Sequence, residues 1–272
     1  MRPIPTIEVP DLKRASSRGI TRAARLGYLT HGLVYGMMGA LALSSALGRG
    51  GRITGDHGAV RRLDGHGPGD ALLWAIAVGL ACYALWMAVR ALLDPERVGR
   101  TGSALLLRAG YFGSAVSHAL LAVYAFELAA DRGGRHASIA DALHVSGGRI
   151  AIAIIGLGVI AYGLHELRKA IKNDVGKEFA GSDMPYARRR WVERLSRLGH
   201  GARGVIFPII GGSLIVAAAR ARPSEAYDFG DALRELAAAP FGEILLGVVA
   251  FGLIAYGVHM LFVARYGRIA HP

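Results

Sequence analysis

Gly158-Val159-Ile160-Ala161-Tyr162-Gly163-Leu164-His165 decides the fold, because the chain contains this pattern three times. It returns as Gly252-Leu253-Ile254-Ala255-Tyr256-Gly257-Val258-His259 and, more loosely, as Gly79-Leu80-Ala81-Cys82-Tyr83-Ala84-Leu85-Trp86. Each copy closes an apolar run, sets a glycine four residues before a tyrosine, and places a ring three residues after it. At 3.6 residues per turn those three positions share one helix face. A small residue beside a hydroxyl suits close helix contact in lipid, so Gly79, Tyr83, Gly158 and Gly252 read as equivalent packing positions.

Upstream of each copy lies a second apolar helix with its own opening. Arg25-Leu26-Gly27-Tyr28, Arg108-Ala109-Gly110-Tyr111 and Arg197-Leu198-Gly199-His200 align, and a ring follows each glycine by eight residues: Tyr35, His118 and Phe207. The unit is therefore a pair of helices, repeated in tandem at 26–93, 105–172 and 195–265. A basic segment, 1–25, precedes the repeats, and a basic linker, 173–194, separates the second from the third. Within each pair a short segment also recurs: Ala59-Val60-Arg61-Arg62-Leu63, Asp141-Ala142-Leu143-His144-Val145 and Ala232-Leu233-Arg234-Glu235-Leu236. These read as brief amphipathic turns on the membrane surface, with Asp141 and Asp231 as N-caps.

Composition agrees with a membrane protein. Of the 272 residues 53% are hydrophobic and only 19% charged, with a mean hydropathy of +0.35. The window 26–47 contains no Asp, Glu, Lys or Arg; its 22 residues rise roughly 33 Å as a helix, enough for a hydrocarbon core of about 30 Å. Comparable windows run over 71–89, 109–126, 150–165, 204–219 and 244–264. The expected fold is an all-α membrane protein: six transmembrane helices, three tandem hairpins and a pseudo-threefold axis along the membrane normal. Hairpins of identical topology exclude the inverted-repeat logic of many transporters.

In a soluble protein the net charge of +12 would point to nucleic acid. Here it follows from loop asymmetry: eighteen Lys and Arg fall at one side of the predicted spans and ten at the other. The positive-inside rule then places both termini in the cytoplasm of a multi-pass protein in a bacterial plasma membrane, with no nucleic-acid partner. Residues 1–25 lack an apolar core, so no cleaved signal peptide is expected and the first span acts as the targeting signal. The single cysteine, Cys82, excludes an intramolecular disulfide and a thiolate cluster from one chain.

Three tandem helix pairs with these openings and closings resemble the bacterial family catalogued as domain of unknown function 1206. The carriers are Leu26-Gly27-Tyr28, His31-Gly32, Ala232-Leu233-Arg234-Glu235-Leu236 and Ile254-Ala255-Tyr256-Gly257, and the likeness runs from about 22 to 265. It implies a bacterial integral membrane protein without assigned activity and carries over no catalytic residue. Trp86, at a position that holds His in the other units, departs from the pattern.

No phosphate-binding loop, zinc-protease motif or nucleophile pattern occurs, so neither catalytic residues, a metal nor a cofactor is expected. What remains is a layer of polar groups inside the apolar runs: His31, Tyr162, His165, Glu166, Arg203, Tyr256 and His259. His118 lies deeper, near the expected midplane, and is read as bonded to a neighbouring helix. The leading reading of the layer is structural, in a non-enzymatic structural or interaction protein. The alternatives are a channel or transporter path lined by His31, Tyr162, His165 and His259, and a haem held by two histidines. Arg203 and Glu166 lie at nearly one depth and are expected to pair; the alternative for Arg203 is to snorkel. Pro208, in place of Gly36 of the first unit, is expected to kink its helix. The run Arg188-Arg189-Arg190-Trp191, with Arg194 and Arg197, reads as a contact for anionic lipid headgroups.

Overall fold

A computed structural model describes residues 9–63, 67–130, 147–172, 179, 184–267 and 269. All the described regular structure is helical: α1 (Val9–Ala46), α2 (Asp56–Arg61), α3 (Gly67–Leu93), α4 (Gly102–Ala129), α5 (Gly148–Lys172), α6 (Tyr186–Arg220), a 3₁₀ turn (Pro223–Glu225), α7 (Phe229–Ala238) and α8 (Gly242–Tyr266). Six of them, all but α2 and α7, are long and apolar enough to cross a membrane. Lipid offers the backbone no hydrogen-bond partners, and a continuous helix satisfies every interior N–H and C=O within itself. α6 runs unbroken through Pro208, whose ring fits against the bare Cα of Gly163 on α5. It also begins at Tyr186, so the basic run Arg188–Arg197 is helical.

The repeat predicts the hairpins α1/α3, α4/α5 and α6/α8, yet the most extensive contacts are between repeats. α3 packs on α4, α5 on α6, and α8 returns to pack on α1. Each unit's second helix thus lies along the first helix of the next, and the third unit closes back on the first. A tight turn explains the α3–α4 pair: the Asp94 carboxylate accepts from the N–H groups of Val98 (2.9 Å) and Gly99 (3.0 Å), and Asp94 and Arg97 take positive φ of 47° and 53°. Glycines explain the α8–α1 pair, since a Cβ on Gly32 would lie 2.7 Å from the Gly257 carbonyl oxygen and one on Gly257 2.7 Å from that of Gly32. Close backbone approach of this kind drives helix association where no hydrophobic force exists between helices.

Within the repeats, the opening glycine meets the closing tyrosine. A Cβ on Gly27 would sit 2.6 Å from Tyr83 Cα, and one on Gly199 2.7 Å from Tyr256 Cα. In the second unit the same construction at Gly110 finds Tyr162 only at 3.5 Å, through its ring. Accordingly α1/α3 and α6/α8 pack firmly, while α4 and α5 touch sparingly. The opening arginine has a separate task. Arg108 donates to the carbonyls of Ala91 (2.8 Å) and Leu92 (3.0 Å), and Arg197 to that of Ala170 (2.9 Å). Each cation closes the exposed carbonyl end of the preceding unit's last helix, where the helix dipole also favours it.

At the opposite end of the bundle, the short segments form α2 and α7. The N-cap of α7 is Asp228, with Asp231 three residues on completing a capping box (2.7 and 3.0 Å) rather than capping the helix itself. The equivalent segment with Asp141 lies outside the described residues.

Candidate functional site

The packing of the six long helices buries polar side chains around one axis, and the repeat register orders them. Four residues past the opening glycine stand His31, Ser114 and Arg203; eight past it stand Tyr35, His118 and Phe207. The closing helices supply Tyr83, Tyr162 and Tyr256.

The first network joins α5 to α6. Glu166 Oε2 accepts from His200 Nδ1 (2.7 Å) and from Arg203 Nη1 (2.9 Å), and Arg203 Nη2 donates to the Tyr162 hydroxyl at 2.7 Å. Glu166, His200 and Arg203 are 2%, 3% and 5% exposed, so water screens none of these charges. The guanidinium carbon also lies 4.3 Å from the centre of the Tyr256 ring and 5.0 Å from that of Phe207. These faces favour a desolvated cation. Arg203 therefore pairs rather than snorkels, and its partner Glu166 is shared with His200, at the position where the other units carry tyrosine.

The second network joins α1 to α4. His118 Nδ1 lies 2.7 Å from the Ser114 carbonyl oxygen, and His118 Nε2 lies 2.9 Å from His31 Nδ1. His31 stacks on Tyr83, with ring centres 4.3 Å apart and planes 8° from parallel. A third set completes the axis at the basic end. The Ser196 hydroxyl donates to the Val192 carbonyl at 2.7 Å and lies 2.5 Å from His259 Nδ1; the His259 ring is 5.4 Å from that of His200. In the first unit Trp86 replaces this histidine and donates to the Tyr28 hydroxyl at 2.9 Å.

His31, Glu166, Arg203, Tyr256 and His259 are buried together, and Tyr162 joins them half-buried. His165 does not: it is exposed on the outer face of α5, one position from the buried Glu166. Of the packing glycines, Gly79 abuts Thr30 and Gly252 abuts Ala202, whereas Gly158 is exposed and a Cβ there would meet nothing within 4 Å. His118, read from the sequence as bonded to a neighbouring helix, bonds His31 on α1, while His200 is a buried member that the sequence layer does not contain. The signal for His200 is register: it occupies the repeat position that holds Tyr28 in the first unit, as His118 occupies that of Tyr35.

Among the described residues no group of three or more His, Cys, Asp or Glu side chains is placed to hold a metal ion. His31 and His118 are bonded to each other, and 2.9 Å between their nitrogens leaves no room for an iron, since two metal–imidazole bonds need about 4 Å. Towards the α2 end, His57 Nδ1 lies 3.1 Å from Asp56 Oδ1, and the ring approaches Tyr124 at 4.9 Å. Burial pushes the His57 imidazole down, but the Asp56 carboxylate outweighs it and holds His57 above its ordinary value near 6.5. Burial likewise pushes Asp56 up, and the hydrogen bonds and charge of His57 bring it below its ordinary value near 3.8.

A relative from Bacillus subtilis (strain 168), Uncharacterized protein YxxB, is 32% identical over 259 residues, 94% of each chain. No solved structure matches the chain. The family model described as Domain of Unknown Function (DUF1206) matches residues 26–94, 109–173 and 198–267, one match for each helix pair. The chain is a three-repeat member of the DUF1206 family, helical in all its described regular structure and with six helices long and apolar enough to span a membrane.

Proposed function

We propose that the protein is a non-enzymatic structural or interaction protein of the bacterial plasma membrane, with both termini in the cytoplasm. The observation that carries this reading is the closure of the buried charges on one another. Glu166 accepts from both Arg203 and His200, and Arg203 spends its other end on Tyr162, so the ionic groups lock α5 to α6. Arg190, Trp191 and Arg194 form an exposed face at the basic end of α6. Such a face suits anionic headgroups, each basic residue being worth about 1 kcal/mol near the surface.

Purified protein in liposomes tests the reading against a panel of ions and small solutes. The expected result is permeability no greater than that of protein-free vesicles, with the Glu166→Met/Arg203→Met pair still assembling, because well-packed apolar residues replace a buried ion pair at little cost. A reproducible flux abolished by Arg203→Met overturns it in favour of a conduction path. Topology is tested by cysteines introduced at 220–242, which should label from outside intact cells; labelling confined to 184–198 reverses the orientation.

A further inference from the structure

The two axial networks stop short of each other around one ring. With both rings neutral, hydrogen-bond partners assign the tautomers. The Ser114 carbonyl is only an acceptor, so His118 Nδ1 carries the hydrogen that bonds it at 2.7 Å. His118 Nε2 is then a lone pair and accepts from His31 Nδ1–H at 2.9 Å, which leaves His31 Nε2 as a bare acceptor. On the other side the Glu166 carboxylate accepts from His200 Nδ1–H at 2.7 Å, leaving His200 Nε2 bare as well. Neither Nε2 atom finds a hydrogen-bond partner among the described side chains, and neither does the donor Arg203 Nε–H, although all three are buried.

These orphaned groups are neighbours of one residue. Ring centres of His31 and His200 lie 5.9 Å and 5.5 Å from that of Tyr256, and the Arg203 guanidinium carbon lies 4.3 Å from it. Two acceptors and one donor around a single ring complement a molecule that donates twice and accepts once. Buried polar atoms without protein partners are the places where proteins hold structural water, which makes about three hydrogen bonds there. We propose that the Tyr256 ring borders a buried binding site for a small neutral hydrogen-bond donor, one or two water molecules. The occupant gives hydrogens to His31 Nε2 and His200 Nε2 and accepts from Arg203 Nε.

The site has a definite polarity. Its occupant donates in both directions along the axis, so the hydrogen-bonded chain reverses at its centre instead of running one way. A proton entering from either side meets a break there, and the Arg203 cation opposes an added positive charge. The site admits neutral donors and interrupts proton transfer.

Full-length protein with ¹⁵N-labelled histidine, reconstituted in bilayers, tests this by solid-state NMR with magnetisation filtered through water. Signals of His31 and His200 are identified by their loss in His31→Phe and His200→Phe, or in the Gln variants where Phe does not fold. The expected result is a protonated Nδ1 and a bare, hydrogen-bonded Nε2 on both rings, each receiving magnetisation from water. A protonated Nε2 on either ring, or no transfer from water to both, overturns the site. In proteoliposomes under a pH gradient, proton leak should equal that of protein-free vesicles; a leak removed by His31→Phe overturns the inverted polarity.

Discussion

Removing Glu166 takes the one carboxylate that, among the described residues, is bonded to Arg203 out of a core in which both residues are at most 5% exposed. Glu166→Ala strands a buried guanidinium and leaves the His200 Nδ1–H without its acceptor, a loss of about 3–5 kcal/mol. Arg203→Ala leaves the carboxylate with His200 as its hydrogen-bond donor among the described side chains and deprives the Tyr256 and Phe207 faces of their cation, a loss of similar size, about 3–5 kcal/mol. If the two acted independently, the double variant would lose about 6–10 kcal/mol, the sum of those estimates. The geometry expects otherwise: with both charges gone nothing ionic is stranded, and the double variant falls by little more than either single. Thermal unfolding in a fixed detergent reads this directly. At about 2–4 °C per kcal/mol for chains near this size, each single change lowers Tm by roughly 6–20 °C and the second adds only a few degrees. Melting shifts that simply add would refute the reasoning and remove the latch between α5 and α6.

Three further outcomes follow from particular contacts. Gly252→Ala places a methyl 2.6 Å from Ala202 Cβ and 2.9 Å from the Leu198 carbonyl oxygen, so it should cost about 1–3 kcal/mol, while Gly158→Ala meets nothing and should be neutral or stabilising. Equal melting shifts would contradict the splayed second unit. Trp86→Phe removes the donor to Tyr28 and should cost about 1 kcal/mol in the same assay; an unchanged melt denies that bond any weight. For the Asp56–His57 pair, the raised His57 adds stability that is complete below about pH 6.5 and fades as pH rises through its folded value, by linkage. The depressed Asp56 adds stability above about pH 3.8 that is lost as pH falls through its folded value, so the pair contributes most between those limits. Asp56→Asn should return the His57 midpoint towards its ordinary value in an NMR titration, and an unmoved midpoint rejects the pairing.

The six spans, the threefold repeat and the Glu166–Arg203 pair were legible in the sequence because each depends on local period or on the cost of a buried charge. Partners between helices were less legible. The motif Gly-x-x-x-Tyr marks a contact face without naming the helix that meets it, so a hairpin pairing is the natural expectation. The turn at Asp94–Gly99 and the glycines at 32 and 257 instead set α3 on α4 and α8 on α1, across unit boundaries. His165 shows a limit of repeat logic. It aligns with His259, but in α5 the residue four past the tyrosine is the charged Glu166, which must turn inward to Arg203. Neighbouring positions point about 100° apart on a helix, so His165 is carried outward. In α8 the corresponding residue is Met260, and both it and His259 are buried. The bond from His118 to His31 joins residues from different units, at 2.9 Å, and no spacing within one unit contains it.

The return of α8 to α1 has a consequence for how the chain is made. α1 ends at Ala46 and α8 at Tyr266, so 220 residues are synthesised after α1 before its partner is complete. At about 5–20 residues per second, the first helix waits roughly 10–45 s in the membrane for the last. Through that interval the backbone faces at Gly32 and Gly39, which α8 later covers, have lipid or the insertion machinery as their neighbour. The ring thus closes last at its earliest-made member, and a chain halted before residue 242 leaves α1 without the helix that seals its glycine face.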